Sequence, residues 1–388
     1  MFFSRTIAMP IAEHTTTIEA CRFCFMCRHV CTLGVISGKE SDTPRGKGLI
    51  LFKILRGHAS YSPDLVDSLY RCCLCGLCET WCQADCHPPD AILAARAELV
   101  SQGKEPGAVR QLRDQLLDSG NPFGLPAEGR FQPWGTPELF RPQAEVVYYV
   151  GCDTAYHQPQ IARAFLKILA AAKVDLTLLR NERSTGKPLW LLGYQHEARQ
   201  AAERLAAEIR AARPKILVTT CPSAFDAFKA DFPAMGVDLD GIEVLHAAEY
   251  LDRLLERGAA VPRNPAPVVA TFLDSTYLGR RHAVYDPPRR VLERIDGLTL
   301  REMTWNRELA YACGEPGGVF HALHPESSGD MARRVLQEAA STGAEVLVTA
   351  CPATLTLLQK ANPTKLKVRD LVEVAADAVA GPAAAAPP

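Results

Sequence analysis

The 388-residue sequence has little that would place it in a membrane, on a nucleic acid or on a nucleotide cofactor. Its best apolar run, GLILFKIL, is short and carries Lys53, whereas a membrane-spanning helix needs roughly 20 apolar residues. The N-terminal MFFSRTIAMP offers neither a long apolar core nor a twin arginine, which argues against a secretory signal. Charge of one sign is not in excess: 43 Lys and Arg face 44 Asp and Glu, so no broad electrostatic footprint for nucleic acid exists. No flavin or nicotinamide motif occurs. Gly314, Gly317 and Gly318 lack the spacing and the following Lys-Ser or Lys-Thr of a phosphate loop, and they read as a tight turn beside Cys313.

What is plentiful is cysteine, 14 in all. Cys21, Cys24, Cys27 and Cys31 stand in the spacing C-x2-C-x2-C-x3-C, and Cys72, Cys75, Cys78 and Cys82 repeat it. Three thiolates two residues apart can wrap one face of a cubane while the fourth points to a second one, so the pattern reads as two 4Fe-4S clusters. By analogy with two-cluster ferredoxins the fourth ligands cross over. Cys21, Cys24, Cys27 and Cys82 then hold one cluster, and Cys72, Cys75, Cys78 and Cys31 the other. Thr32 and Gln83 stand where a proline usually follows the fourth ligand. Cys73 and Cys86 are left over and are expected not to touch iron. A disulfide framework is the competing use of so many cysteines, but it belongs to short secreted chains; a reducing, cytoplasmic location is expected.

Length and a hydrophobic content of 47% allow two or three compact domains. An α+β chain is expected: an α-helical two-cluster ferredoxin-type domain over 1–120, a surface linker over 121–142, and two tandem α/β repeats over 143–265 and 266–388. The insert of 40 residues between Cys31 and Cys72 contains a helical stretch from Leu49 to Leu55 and should cap the clusters. Its basic residues Arg45, Lys47, Lys53 and Arg56 are candidates for docking an acidic partner, against the alternative of a solvated face. Ala91 to Leu117 reads as helix interrupted near Gly103 to Gly107. Beyond Glu145, β-rich runs at Val146–Val150, Ile216–Thr219, Val268–Leu273 and Val346–Thr349 alternate with helical spacing over Ile161–Ala172, His196–Ala212 and Asp330–Ser341. KILVTTCP ending at Pro222 recurs as EVLVTACP ending at Pro352, an offset of 130 residues, and the run Ala248–Leu251 pairs with Arg369–Val372 at the close of each half. Ligands gather at the carboxyl ends of parallel strands, where Cys221 and Cys351 sit.

These motifs resemble a known family. The doubled cysteine block with VGC at 150–152, VTTCP at 218–222, LGR at 278–280, YDPPR at 285–289, CGEPGG at 313–318 and VTACP at 348–352 is similar to the iron-sulfur subunit of glycolate oxidase. It equally resembles the corresponding iron-sulfur subunit of anaerobic glycerol-3-phosphate dehydrogenase and the cysteine-rich (CCG-type) subunits of heterodisulfide reductase. The family repeat carries an early cysteine, a Cys-Cys-Gly doublet and a Cys-Pro-x-Cys ending. Here the first repeat keeps Cys152 and Cys221, but its doublet reads Ser184-Thr185-Gly186 and its last cysteine is Ala224. The second has Thr276 at the early position, Ala312 before Cys313, and Thr354 for the last cysteine. Neither repeat alone retains the donors of a family-type cluster. Cys152, Cys221, Cys313 and Cys351 are the candidates for a shared third site, helped by His157, His196, His246 or His282. The alternative is that these cysteines merely pack the strand ends.

The resemblance implies an oxidoreductase subunit that relays electrons from a partner flavoprotein dehydrogenase, acting on a 2-hydroxy acid or a polyol phosphate, through two 4Fe-4S clusters to quinone or another carrier. Flavin is expected on the partner only, and the location on the cytoplasmic side, free or held at the inner membrane by a partner. Two other readings stay open: a catalytic subunit of heterodisulfide-reductase type, and a non-enzymatic redox sensor or scaffold.

Overall fold

The computed structural model describes residues 10–380 apart from 133, 315 and 365; the N-terminal segment up to Met9, read above for a leader, lies outside the described residues. Seven helices build the cysteine-block region: α1 (Thr15–Cys21), α2 (Thr32–Ser37), α3 (Pro44–Leu55), α4 (Pro63–Tyr70), α5 (Leu77–Thr80), α6 (Pro88–Ser101) and α7 (Gly107–Ser119). The break between α6 and α7 falls where Gly103, at φ +63°, closes the first and Pro106 opens the second. Thr43 caps α3 by accepting from the Gly46 amide at 3.1 Å, and Pro44 fixes the first turn. α3 can lie flat on α1 because residue 48 is glycine: a Cβ there would stand 3.3 Å from the Cys21 sulfur.

The two repeats each form a four-stranded parallel sheet. In chain order the strands are β1 (Val146–Tyr149), β2 (Leu176–Leu178), β3 (Ile216–Thr219) and β4 (Glu243–His246), then β5 (Val268–Leu273), β6 (Leu298–Leu300), β7 (Val346–Thr349) and β8 (Lys367–Asp370). The spatial orders β2-β1-β3-β4 and β6-β5-β7-β8 are the same topology. The four β-rich runs read from the sequence are the inner strands, buried on both faces and therefore almost uniformly apolar. The outer strands are three or four residues long, and β4 and β8 carry charge, so no periodicity betrays them. The closing runs also need correcting. His246 and Asp370 are equivalent, since each ends a strand and donates its amide to the Glu three residues on, Glu249 and Glu373. That is an offset of 124, three residues from the pairing of Ala248–Leu251 with Arg369–Val372.

The repeats interlock. The last helix of the first repeat, Ala247–Glu256, packs on Asp286–Glu293 of the second, while Leu371–Ala380, which closes the second, packs on Pro159–Ala171 of the first. Asp252 anchors the first of these contacts through Arg290, at 2.8 Å, and Arg294. Gln158 crosses between repeats to Thr356 and Gln359 at 3.0 and 3.1 Å. The first repeat also abuts α6 through Gly193: at φ +103°, any Cβ would lie 2.6 Å from the Arg96 carbonyl oxygen. Residues 121–142, expected on the surface, send Asn121 and Arg130 into the interior. Asn121 there accepts from the amides of Phe123 and Leu125, a local turn chemistry that composition alone reads as linker.

His246 shows how a terminus is fixed. Its Nδ1 accepts from the Ala248 amide at 3.1 Å, which requires a neutral ring, and burial lowers its pKa to about 4. A histidine near 6.5 in the unfolded chain and about 4 when folded contributes stability that is full above pH 6.5 and is lost as pH falls towards 4, about 1.4 kcal/mol per unit. The thermal midpoint should therefore drop over that range, and His246→Asn, which keeps a cap acceptor, should flatten the drop.

Candidate cluster sites and the cavity between the repeats

The cysteine blocks fold onto each other. Cys21 ends α1, Cys24 is exposed in the following loop, Cys27 is buried, and Cys31 caps α2 with its sulfur accepting from the Gly34 amide at 3.5 Å. The sulfurs of Cys24, Cys72 and Cys82 likewise accept from the amides of Met26, Leu74 and Cys86, at 3.4, 3.4 and 3.3 Å. Burial pushes the Cys21 thiol up to about 12, and the thiols that face it are those of Cys27, Cys86, Cys82 and Cys24. Cys31, also pushed up to about 12 by burial, faces Cys75 and Cys72 instead. Cys78 is raised well above its ordinary value by burial and neighbours Cys27, Cys75 and Cys72, so it stands between the two groups. Cys86 is drawn in beside Cys82, Cys24 and Cys21, closer than its sequence position suggests. Cys73 lies in a small apolar cluster with Leu33, Ala312, Phe320 and Met331, against which Cys31 and Cys75 pack.

Two cations are buried beside these thiols. Lys47, 1% exposed, donates to the Ser41 carbonyl at 2.9 Å and faces Cys72 and Cys31. It therefore does not belong to the exposed basic face expected of the insert. Arg96, also 1% exposed, donates only to carbonyls: Leu69, Tyr70, Cys72 (2.6 Å) and Leu191 (2.8 Å). Burial lowers both pKa values, and the cysteines oppose that shift. Lys47 also faces the buried carboxylate of Asp42, whereas Arg96 bonds to no carboxylate among the described residues, and burying a cation without a counter-anion costs several kcal/mol. Four thiolates around iron carry net negative charge, so the donor set and its surroundings fit iron-sulfur clusters.

A second site lies where the two sheets face each other. The carboxyl ends of β1, β3, β5 and β7 meet at one cavity, whose lining includes Cys152, Cys221, Cys351, Thr185, Ser275 and Tyr277. Cys313 is not in that lining; it is buried, and its carbonyl accepts from Ser328 at 2.9 Å. The structure thus brings three of the four C-terminal candidates to one place. Of the histidines considered, His157 stacks on Phe123, His196 meets Gln200 on the surface, His246 caps a helix and His282 pairs with Asp226; none lines the cavity. Arg130, which sequence reasoning missed, reaches in from 121–142: its Nη2 lies 3.2 Å from the Cys152 sulfur and its Nη1 2.7 Å from Glu182. Glu182 accepts from the Val150 and Gly151 amides at 2.8 and 3.0 Å, which fixes the turn carrying Cys152. Burial raises the Cys152 pKa while Arg130 opposes it. Burial takes Cys221 up to about 12.

Behind the cavity wall, Lys187 is completely buried against Asp226 and Asp231, the latter at 2.5 Å. The π-helical turn Ala227–Asp231 brings these carboxylates, five residues apart, onto one ammonium. Tyr277 and His282 of the second repeat complete the group: the Tyr277 ring lies 4.4 Å from Lys187 Nζ, and His282 Nε2 is 2.9 Å from Asp226.

Comparison with known proteins agrees with this architecture. The CCG cysteine-rich domain matches residues 146–225 and again 270–359. The chain is 30% identical over 348 residues to a probable iron-sulfur-binding oxidoreductase, FadF, of Bacillus subtilis, covering 83% of this chain but only 49% of that protein. It is 28% identical to one subunit of the dihydromethanophenazine:CoB–CoM heterodisulfide reductase of Methanosarcina barkeri, covering 93% of this chain and 94% of that one. It is 26% identical to the EtfAB:quinone oxidoreductase of Syntrophomonas wolfei, over 75% of this chain and 43% of that protein. A hypothetical protein from Helicobacter pylori shares the fold at TM-score 0.56 and 10% identity, covering 87% of this chain and 68% of that one.

Removing Lys187 would leave two buried carboxylates without their cation, so Lys187→Met should cost about 3–5 kcal/mol in denaturant unfolding. Adding Asp231→Asn to that variant should recover part of the loss.

Proposed function

Because the chain belongs to the CCG cysteine-rich domain family, we propose that it is the electron-transfer subunit of an oxidoreductase complex. It would relay electrons from a partner flavoprotein dehydrogenase, acting on a 2-hydroxy acid or a polyol phosphate, to quinone or another carrier. The observation that carries this reading is the pair of cysteine groups, with Arg96 buried beside the second and bonded only to carbonyls, that of Cys72 among them. In it, Cys21, Cys24, Cys27 and Cys82 hold one 4Fe-4S cluster, and Cys72, Cys75, Cys78 and Cys31 the other. Such clusters, when bound, supply one-electron storage. The residues' part is to exclude water, to hold the sulfurs through the amides of Met26, Gly34, Leu74 and Cys86, and to set the local charge. The name of the Syntrophomonas relative, a quinone oxidoreductase, supports quinone as acceptor. Among the described residues no helix is long and apolar enough to cross a membrane. The proposal places the chain on the cytoplasmic side, attached through its partner.

A second reading, catalysis of heterodisulfide-reductase type in the cavity, is favoured by Arg130 beside Cys152 at 3.2 Å and by the Methanosarcina relative. Cys152→Ala separates the two: electron transfer from a flavoprotein to quinone survives in the first and fails in the second.

Anaerobic reconstitution should give about eight iron atoms per chain. In Cys82→Ser the electron paramagnetic resonance signal of the cluster assigned to Cys21, Cys24 and Cys27 should change and the other persist. About four irons in the parent protein, or perturbation confined to the Cys72 group, would defeat the assignment.

A further inference from the structure

Three of the six large apolar side chains exposed among the described residues belong to the first cysteine loop: Phe23 at 70%, Phe25 at 57% and Met26 at 45%. In the chain they flank Cys24, the one exposed cysteine among the described residues. Arginines frame the rings. Arg22 lies 4.2 Å from the Phe23 ring and 3.9 Å from Phe52, Arg45 4.3 Å from Phe25, and Arg56 5.7 Å from Phe52. Arg28 stands at the same edge with its side chain 57% exposed. Against these four guanidiniums the adjoining carboxylates are Glu40, paired with Arg28 and Arg45, and Glu19, paired with Arg56. The face is therefore apolar at its centre and net positive at its rim, the anatomy of a protein-docking surface.

We propose that this face, centred on Cys24, docks an electron-donating flavoprotein whose own contact surface is apolar within an acidic rim. The inference rests on the electron-transfer reading above and adds where the donor binds. Phe23, Phe25 and Met26 supply the desolvated centre, and the arginines steer association and set its salt dependence. The step makes and breaks no bond: the partner's reduced flavin is oxidised by one electron and the iron held at Cys24 is reduced by it. An anionic membrane would also suit a cationic apolar face, but it would cover the one exposed ligand with insulating lipid.

The test uses the anaerobically reconstituted full chain and, as probe, the hydroquinone of flavodoxin, a small acidic flavoprotein, with dithionite as a reductant too small to need docking. Stopped-flow reduction of the parent should be bimolecular and should slow as salt rises. Phe23→Ser with Phe25→Ser, and separately Arg28→Glu, should each lower the rate constant roughly tenfold. The Kd for oxidised flavodoxin, followed by flavin fluorescence, should weaken in parallel, and Arg28→Glu should flatten the salt dependence. Iron content and the dithionite-reduced spectrum show whether the clusters survive. Should the Phe variant lose iron, Arg28→Glu, outside the ligand set, decides alone. Rates and Kd equal to the parent's in an intact variant overturn the docking face while leaving the electron-transfer reading in place. A parent reduced by dithionite but by no flavoprotein overturns both. Sedimentation with anionic phospholipid vesicles that the substitutions abolish, with flavodoxin reduction unchanged, overturns the proposal in favour of a membrane surface.

Discussion

The guanidinium of Arg96 is the fixed point of the molecule. It sits in the middle of α6, fully buried, and its donors go to the carbonyls of Leu69, Tyr70 and Cys72 on one side and Leu191 on the other. One side chain thus ties the lead-in to the second cysteine block to the first repeat. Nothing among the described carboxylates bonds to it, and the titratable groups that face it are the thiols of Cys72 and Cys73 and the phenols of Tyr70 and Tyr277. That arrangement makes sense if the site is filled: a buried cation that is a liability beside neutral thiols becomes an asset beside a negatively charged cluster. Lys47, from α3, is less extreme, because the carboxylate of Asp42 faces it together with Cys72 and Cys31. Folding of this region and filling of its site are on this view one event, as in other small metal-dependent folds.

The repeats obey a different constraint, that of reciprocity. Because the last helix of each packs on the helix between the first two strands of the other, Pro159–Ala171 or Asp286–Glu293, neither completes its core alone. The carboxyl ends of both sheets are thereby turned towards a common cavity, which is why Cys152, Cys221 and Cys351 meet although 199 residues separate the first from the last. Cys313 lies on a loop rather than a strand end, and the same geometry leaves it in the core.

How much of this was legible follows from what each feature depends on. Inner strands and amphipathic helices announce themselves by apolar pattern, so the doubled α/β architecture and the break at Gly103 could be read directly. The cysteine blocks stand out for another reason, because iron-sulfur ligation restricts spacing along the chain. Edge strands of three residues carry too little pattern. Arg130, Glu182, Lys187 and Arg96 were invisible for the opposite reason: charged residues are normally solvated, and only the tertiary fold shows what would leave these four buried. Lys47 shows the hazard, since a lysine in a basic stretch reads as surface until the sulfurs beside it are known.

The lost ligand positions were not simply vacated. Thr276 occupies the early cysteine position of the second repeat, and its hydroxyl accepts from Arg280 Nη2 at 3.1 Å across one π-helical turn. Arg280 in turn donates from Nε to the carbonyl of Cys75 at 2.9 Å and from Nη1 to that of Ala310. Arg281 beside it faces Glu79 at 3.6 Å, and His282 holds Asp226 of the first repeat. A segment that in a family-type repeat would supply a thiolate has here become the strut between the second cysteine block, the cavity and the first repeat. The Thr276 hydroxyl serves this strut as the acceptor for Arg280. The early position of the first repeat made the other choice: Cys152 kept its thiol, and its partner Arg130 arrives from outside the repeat. The asymmetry between the halves is therefore one of packing: the second repeat grips the second cysteine block through Arg280 and Arg281, while the first sets an arginine beside a thiol at the shared cavity.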